Sequence, residues 1–369
     1  MPHEMEKGIT IYLYTMRILI PRHTFFFLSV FLLALTPRSW GQVSGGQHVF
    51  TLLELSPSAR MTALGGTQIT VKDDDVALAA ANPAVLNASM GGHLTLNHNF
   101  FLSDIQHGYV AYAHHLQRIG FTIQGGVQYM NYGDIKQADE FGNVTGMVKA
   151  SETTFTLGGA RPLSDRMSLG LNIRFGVSTL DLYQASMLAA DAGFIYSDTA
   201  HLFSVGMVLR NAGVQLATYN GLREDLPFDI QIGVSKRLRY LPFRMTVIAH
   251  HLQEWDIRYD DPSAVSDDVS LFGEETSKKG NPGLDNFFRH FIFNGEFLLG
   301  RNEGFRLRIG YNHLRKKELS VNNYRSLAGF SGGIGLKINR FRVDMGYGSY
   351  HLGGGVVHFS VGTNLKDFF

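Results

Sequence analysis

The chain has 369 residues and a formal net charge of +1, with charged residues at 18%, below the roughly 25% of an ordinary soluble domain. A near-neutral chain gives no basis for expecting a nucleic-acid partner. The absence of cysteine removes disulfide scaffolds, thiolate metal sites and cysteine nucleophiles together.

The N-terminus reads as an export signal. Arg17, Arg22 and His23 precede the apolar run from Thr24 to Leu35, and Ser39 and Gly41 supply small residues at cleavage-site spacing before Gln42. The run is shorter than a membrane helix needs and carries the flanks of a signal peptide. Residues 1–41 are therefore assigned to a long leader, with an N-terminal membrane anchor as the competing reading. The residues before Met16 read as an upstream start or a long basic region.

Residues 42–91 differ from the rest of the mature chain. Val76–Ala81 is apolar and alanine-rich, which suits a short helix. Asp73, Asp74 and Asp75 stand at its expected N-terminus, where the helix dipole favours negative charge. Pro83 would end that helix or begin the next turn. A segment of small residues ahead of a barrel is expected to pack inside it as a plug.

From residue 92 onward, period-two alternation dominates. About fourteen segments of near-membrane-strand length occur in order: 93–100, 107–115, 119–130, 151–161, 167–177, 186–196, 202–210, 227–237, 243–251, 288–299, 305–313, 326–338, 341–349 and 356–365. In one of them Met167, Leu169, Leu171, Ile173, Phe175 and Val177 share a face, and Ser168, Gly170, Asn172, Arg174 and Gly176 share the other. The same pattern sets Phe305, Leu307, Ile309 and Tyr311 against Arg306, Arg308 and Gly310. Phe341, Val343, Met345 and Tyr347 likewise oppose Arg342, Asp344, Gly346 and Gly348.

Three features place the apolar face outward, in lipid. A barrel of about fourteen strands is too wide for side chains to fill from the wall alone. The connections alternate between short (116–118, 162–166, 197–201, 239–242, 300–304, 339–340) and long (131–150, 178–185, 211–226, 252–287, 314–325, 349–355), the pattern of periplasmic turns and outer loops. The chain also ends in Phe368-Phe369, a terminal aromatic of the kind handed to the barrel-assembly machinery. Aromatics near segment ends, among them Phe100, Tyr109, Tyr183, Tyr240 and Tyr347, suit interfacial girdles. The expected architecture is an all-β transmembrane antiparallel barrel of about 14 strands, in the outer membrane of a Gram-negative bacterium. An even strand count puts both termini in the periplasm.

The residues that could carry chemistry give little. His114-His115 and His250-His251 are neighbours on expected strands, so each pair should point to opposite faces, whereas zinc needs converging ligands; no metal is expected. The aspartate triplet lacks the spacing and glycine of a calcium loop and reads as helix capping. The 252–287 connection carries Asp256, Asp260, Asp261, Asp267, Asp268, Glu274 and Glu275. It reads as a solvated loop or, because long outer loops meet partners, as a partner-binding loop. There is no G-x-S-x-G elbow and no phosphate loop. Neither an enzyme nor a cofactor is expected.

One set of motifs resembles a known family. Ser58-Ala59-Arg60, Ala63-Leu64-Gly65-Gly66, Asp73-Asp74-Asp75 and Asn82-Pro83-Ala84-Val85-Leu86 resemble the N-terminal signature of PorQ-type outer-membrane proteins of the Bacteroidota type IX secretion system. The resemblance continues through Tyr129-Met130-Asn131-Tyr132-Gly133, Asp191-Ala192-Gly193, Leu209-Arg210-Asn211-Ala212-Gly213, Leu226–Leu238 and Leu241-Pro242-Phe243-Arg244. The leader before Met16 departs from it. The resemblance implies a fatty-acid-transporter-like barrel with an N-terminal plug. It implies a non-enzymatic anchor that holds a PorZ-like surface protein beside a PorU-like sortase and a PorV-like barrel, where secreted cargo is joined to lipopolysaccharide or a similar outer-membrane lipid. The alternative is a transporter of apolar small molecules; the expected lumen faces of glycine, serine and charge count against it.

Overall fold

The computed structural model describes residues 48–101, 105–258, 282–319, 327–351 and 354–368. The expected leader over 1–41, its cleavage site, and Phe369 lie outside the described residues.

Fourteen antiparallel strands form one closed barrel: β1 His93–Phe100, β2 Gln106–Leu116, β3 Phe121–Ala138, β4 Val144–Pro162, β5 Met167–Leu180, β6 Tyr183–Asp198, β7 Phe203–Ala217, β8 Asp229–Arg237, β9 Phe243–Ala249, β10 Phe291–Leu299, β11 Phe305–Asn312, β12 Phe330–Ile338, β13 Phe341–His351 and β14 Gly354–Asn364. Each strand pairs with its sequence neighbours, and β1 closes on β14 from His93↔Asn364 to Phe100↔Val357. Closure leaves no strand edge unpaired, which a lipid environment requires.

The faces sort as expected. On β5, Leu169, Leu171, Ile173 and Phe175 are exposed on the outside, while Ser168, Asn172 and Arg174 are buried within. An apolar exterior around a polar, buried interior is a soluble protein turned inside out, the arrangement of a barrel solvated by lipid. Among the described residues no helix is long and apolar enough to cross a membrane; this chain crosses with strands.

Several expected loops prove to be strand. The 131–150 stretch continues β3 and β4 as one long hairpin, with a register shift between Asn131 and Asp134. Its turn is fixed by Asp139, whose carboxylate accepts from the backbone of Phe141 and Asn143 at 3.0 and 2.8 Å, so two extended runs can meet across five residues. The 178–185 connection shrinks to two residues, with Asp181 in the left-handed region at φ 53°, a conformation that Asp tolerates. Besides α1, Ala59–Ala63, ahead of the barrel, two short helices stand where alternation predicts strand or loop: α2, Pro282–Arg289, and α3, His313–Glu318. They sit at the end of the barrel opposite the C-terminus, where His48, the first described residue, also meets Asp225 of the β7–β8 connection, and they are joined by Asp285, which pairs with Lys317 at 2.7 Å and Arg289 at 3.0 Å.

Tyr109 is not a girdle residue. It is 1% exposed and points inward, because it shares a face with Ala111 and Ala113 rather than with Val110 and Tyr112. Phe100, Tyr183, Tyr240 and Tyr347 are exposed.

The orientation of the faces is testable. Ile173→Arg, near the middle of β5 on the lipid side, should cost about 2–4 kcal/mol of folding free energy in bilayers, read from urea unfolding in vesicles. An unchanged midpoint would mean that this face does not meet lipid.

Candidate functional site within the barrel

The only long stretch of described chain outside the wall and its connections is residues 48–92. It is folded from short turns, and those after the first, Thr51–Glu54, are capped by polar side chains. Ser58 accepts from Met61 N at 3.4 Å at the start of α1. Asp75 accepts from Ala77 N at 3.2 Å ahead of a 3₁₀ turn, Val76–Ala80. Asn82 accepts from Ala84 N at 3.0 Å ahead of a second turn, Pro83–Val85, with Pro83 at the first helical position, where a missing N–H costs nothing. The expected helix over 76–81 is thus a 3₁₀ turn, and only Asp75 of the aspartate triplet caps it.

The other two aspartates reach the wall. Arg60, fully buried, pairs with Asp73 at 2.8 Å, Asp75 at 3.2 Å and Glu296 of β10 at 3.2 Å. Glu296 stands in register with Arg308 of β11 on one side and Arg244 of β9 on the other, and it pairs with them at 2.8 and 2.9 Å. Arg308 passes the chain on to Asp344 of β13 at 2.5 Å. Asp74 pairs with Arg342 of β13, and Arg306 of β11 stands 3.7 Å from Asp73. Five arginines therefore face five carboxylates, and each buried charge has an opposite charge beside it, the condition for tolerating them away from water.

The rest of the segment is tied down by neutral hydrogen bonds. Ala59 N donates to Ser360 Oγ at 2.8 Å, and Ser331 Oγ donates to Ala63 O at 3.0 Å. Asn294 donates to Leu64 O at 3.1 Å, Asn172 to Ala79 O at 3.0 Å and Gln128 to Leu52 O at 3.1 Å. Arg174, itself paired with Asp191 at 2.7 Å, donates to Ala80 O at 2.5 Å. Two wall glycines make the approach possible: a Cβ on Gly346 would stand 2.2 Å from Ala59 O, and one on Gly193 2.0 Å from the Asn82 side-chain oxygen.

Between these polar ties runs an apolar seam. Met61, Ile69, Val76–Ala81, Ala84–Leu86 and Met90 pack against inward Tyr109, Ala111, Ala113, Ala160, Ile195, Val208, Ile248 and Ile292 of the wall. The expectation of lumen faces made mostly of glycine, serine and charge is qualified here: alternation identifies which residues point inward, but the apolar ones sit on different strands and join only when the barrel closes.

The motif residues fall at several places along this segment. Arg60, Asp73 and Asp74 belong to the charged cluster, with Ser58 and Ala59 at its edge. Gly65 and Gly66, with φ of 88° and 117°, turn the chain after buried Leu64 beside Ile292 and Arg315. Asn82 and Pro83 lie against β5 and β6. Asp256 of the acidic connection is held by Arg258 at 2.7 Å, whose hydrogen bonds lower its carboxyl to about 2. Asp260, Asp261, Asp267, Asp268, Glu274 and Glu275 lie outside the described residues. A cavity of about 250 Å³ opens at the end that holds the C-terminus and the start of β1, lined by Ser58, Asp74, His93, Lys337, Arg342 and their neighbours. It is polar and smaller than a typical site for an apolar ligand.

No family model and no curated protein matches the sequence. Solved structures do resemble the barrel. The CymD monoaromatic hydrocarbon channel matches with a TM-score of 0.49 at 12% identity, over 85% of this chain and 97% of that one. A TodX monoaromatic hydrocarbon channel mutant matches with 0.48 at 11%, over 84% and 97%. A Pseudomonas aeruginosa FadL homologue matches with 0.46 at 11%, over 84% and 98%. The chain is a β-barrel of the outer-membrane type. At such identities the likeness concerns architecture, and the neighbours' activities remain their own.

The charged cluster makes the firmest prediction about the segment. Arg60→Met leaves Asp73, Asp75 and Glu296 short of one cation and should destabilise the barrel by about 3–5 kcal/mol, measured by urea unfolding in detergent. Limited proteolysis should cut within 48–92 in this variant before it cuts the wild type.

Proposed function

We propose that this protein is a non-enzymatic anchor in the outer membrane: a closed barrel whose inner segment acts as a permanent plug and whose work is done by the surfaces it presents outside the membrane. The observation that carries the reading is the cluster around Arg60. The segment is held by buried or half-buried ion pairs to β10, β11 and β13, and the same wall residues are bound to one another through Arg244, Arg308 and Asp344. Such a segment is costly to move, and a wall so occupied offers no path. The partners follow from the resemblance to PorQ-type proteins: a PorZ-like surface protein held near a PorU-like sortase and a PorV-like barrel, with lipopolysaccharide or a related lipid as the acceptor of cargo. On this reading the C-terminus and the start of β1 face the periplasm and the long connections face the cell exterior.

A second reading, passage of apolar small molecules, has one observation in its favour. The seam between the segment and the wall is apolar, and moving Val76–Leu86 would uncover Tyr109, Ala111, Ala113, Ile195, Val208 and Ile248 as a continuous stripe. Monoaromatic hydrocarbon channels are what CymD and TodX are named as.

Affinity purification from solubilised outer membranes separates the two. The anchor reading expects a sortase-like protease and a large surface β-protein in near-stoichiometric yield, and their loss when residues 255–286 are deleted while the barrel stays heat-modifiable. Planar-bilayer recordings should show no channel openings. A barrel recovered alone, with toluene or fatty-acid uptake dependent on it, would replace anchoring with transport.

A further inference from the structure

His250 and His251 do not point to opposite faces as neighbours on a strand would. Strand β9 ends at Ala249, and His251 adopts the left-handed region at φ 54°, which breaks the alternation and turns its ring back. The two Nδ1 atoms stand 2.5 Å apart and the rings meet edge to face at 4.7 Å. Asp229, the first residue of β8, completes the group. Its Oδ1 accepts from His251 N at 2.7 Å and its Oδ2 from Gln231 at 2.5 Å, so its carboxylate is fixed in place. One ligand atom from each of the three residues lies within 4.8 Å of the others.

From this convergence we propose that Asp229, His250 and His251 form a binding site for a late first-row divalent cation such as Zn²⁺, at the barrel end opposite the C-terminus. Two imidazoles and one carboxylate suit zinc, nickel, copper and iron rather than calcium or magnesium. Bonds of about 2.0–2.1 Å require the two rings to part by roughly 1 Å, a rotation within reach of half-buried His251. The fourth position is left for water. His250 is buried, and its Nδ1 is the ring nitrogen that faces His251. The charged neighbours from α3, Arg315 and Glu318, oppose one another at the site.

The position gives such an ion a structural task. The chain leaves the barrel at His250 for the long acidic connection. Its return is tied here, by His250 N to His290 O at 2.9 Å, His290 Nδ1 to His250 O at 2.8 Å and His290 Nε2 to Trp255 O at 3.1 Å. A cation bridging Asp229 of β8 to His250 and His251 would clamp the root of that connection to the wall, where the direct pairing of β8 with β9 stops at Ile232↔Ala249.

The test uses the full chain in detergent, purified on a tag without histidine and stripped with chelator. Titration calorimetry with Zn²⁺ should give one tight equivalent. His251→Asn, which keeps a residue at ease in the left-handed region, and Asp229→Asn, which keeps the acceptor for His251 N, should each weaken it at least tenfold. A His114→Gln/His115→Gln variant should bind as the wild type does. Zinc should also slow amide exchange over 250–258 in the wild type only. No tight equivalent in the wild type would overturn the proposal, and so would undiminished binding in His251→Asn while that variant retains its heat-modifiable mobility.

Discussion

Pairing of buried charge between the inner segment and one side of the wall is the constraint on which the molecule depends. Arg60 supplies the cation that Asp73, Asp75 and Glu296 share, and Glu296 in turn sits between Arg244 and Arg308. Remove the segment and β9, β10, β11 and β13 would keep Arg244, Arg306, Arg308 and Arg342 against Glu296, Asp344 and, on the turn before β11, Glu303, which Arg237 also shares. The wall alone would then carry an excess of positive charge at membrane depth, which water would have to enter and solvate. The segment is thus more than a filler: its three aspartates neutralise the wall, and the wall neutralises them.

This division explains why the inside is built from two different materials. The side formed by β9–β13 is charged and grips the segment by ion pairs, which are directional and fix its register. The side formed by β2, β4, β6 and β7 is small and apolar, with Ala111, Ala113, Ala160, Ile195 and Val208, and meets the alanine-rich turns by packing. Dispersion and exclusion of water hold most of that side, and Asn172 and Arg174 of β5 add hydrogen bonds to Ala79 O and Ala80 O. Among the described residues the segment's own charges form ion pairs to the wall only on the β9–β13 side, and the facing side is filled chiefly by packing. Glycines at Gly193 and Gly346 let the backbone come close on both sides.

The barrel was legible in the sequence because its cause is local. Alternation at period two is written residue by residue, and lipid outside a polar interior leaves it intact over whole strands, so β1, β5 and β11 fall within a few residues of where the pattern places them. The parts that lay beyond reading depend on closure. Arg306, Arg308, Arg342 and Asp344 were visible as one polar face of their strands, but nothing local says that Glu296 stands opposite Arg308, or that Arg60, 236 positions before Glu296, reaches the same carboxylate. The aspartate triplet therefore read as helix capping, a local role that only Asp75 keeps. Turn geometry misled in the same way. Alternation assigns His250 and His251 to opposite faces, and a single left-handed residue brings them together.

The two ends of the barrel consequently have different characters. At the end holding the C-terminus, the segment and wall leave a small polar cavity beside Asp74 and Arg342, and the connections there are short. At the opposite end the chain is elaborated into the β3–β4 hairpin, α2 and α3, and the acidic connection rooted at His250. A conduit would need both ends open and the ion pairs between them broken in each cycle, while their partners stayed buried and uncompensated. An anchor needs neither: it needs a rigid frame in lipid and an elaborated surface at one end. On the proposed reading, the ion-paired segment supplies the rigid frame and the enlarged rim supplies the surface, while the same ion pairs would have to break for passage.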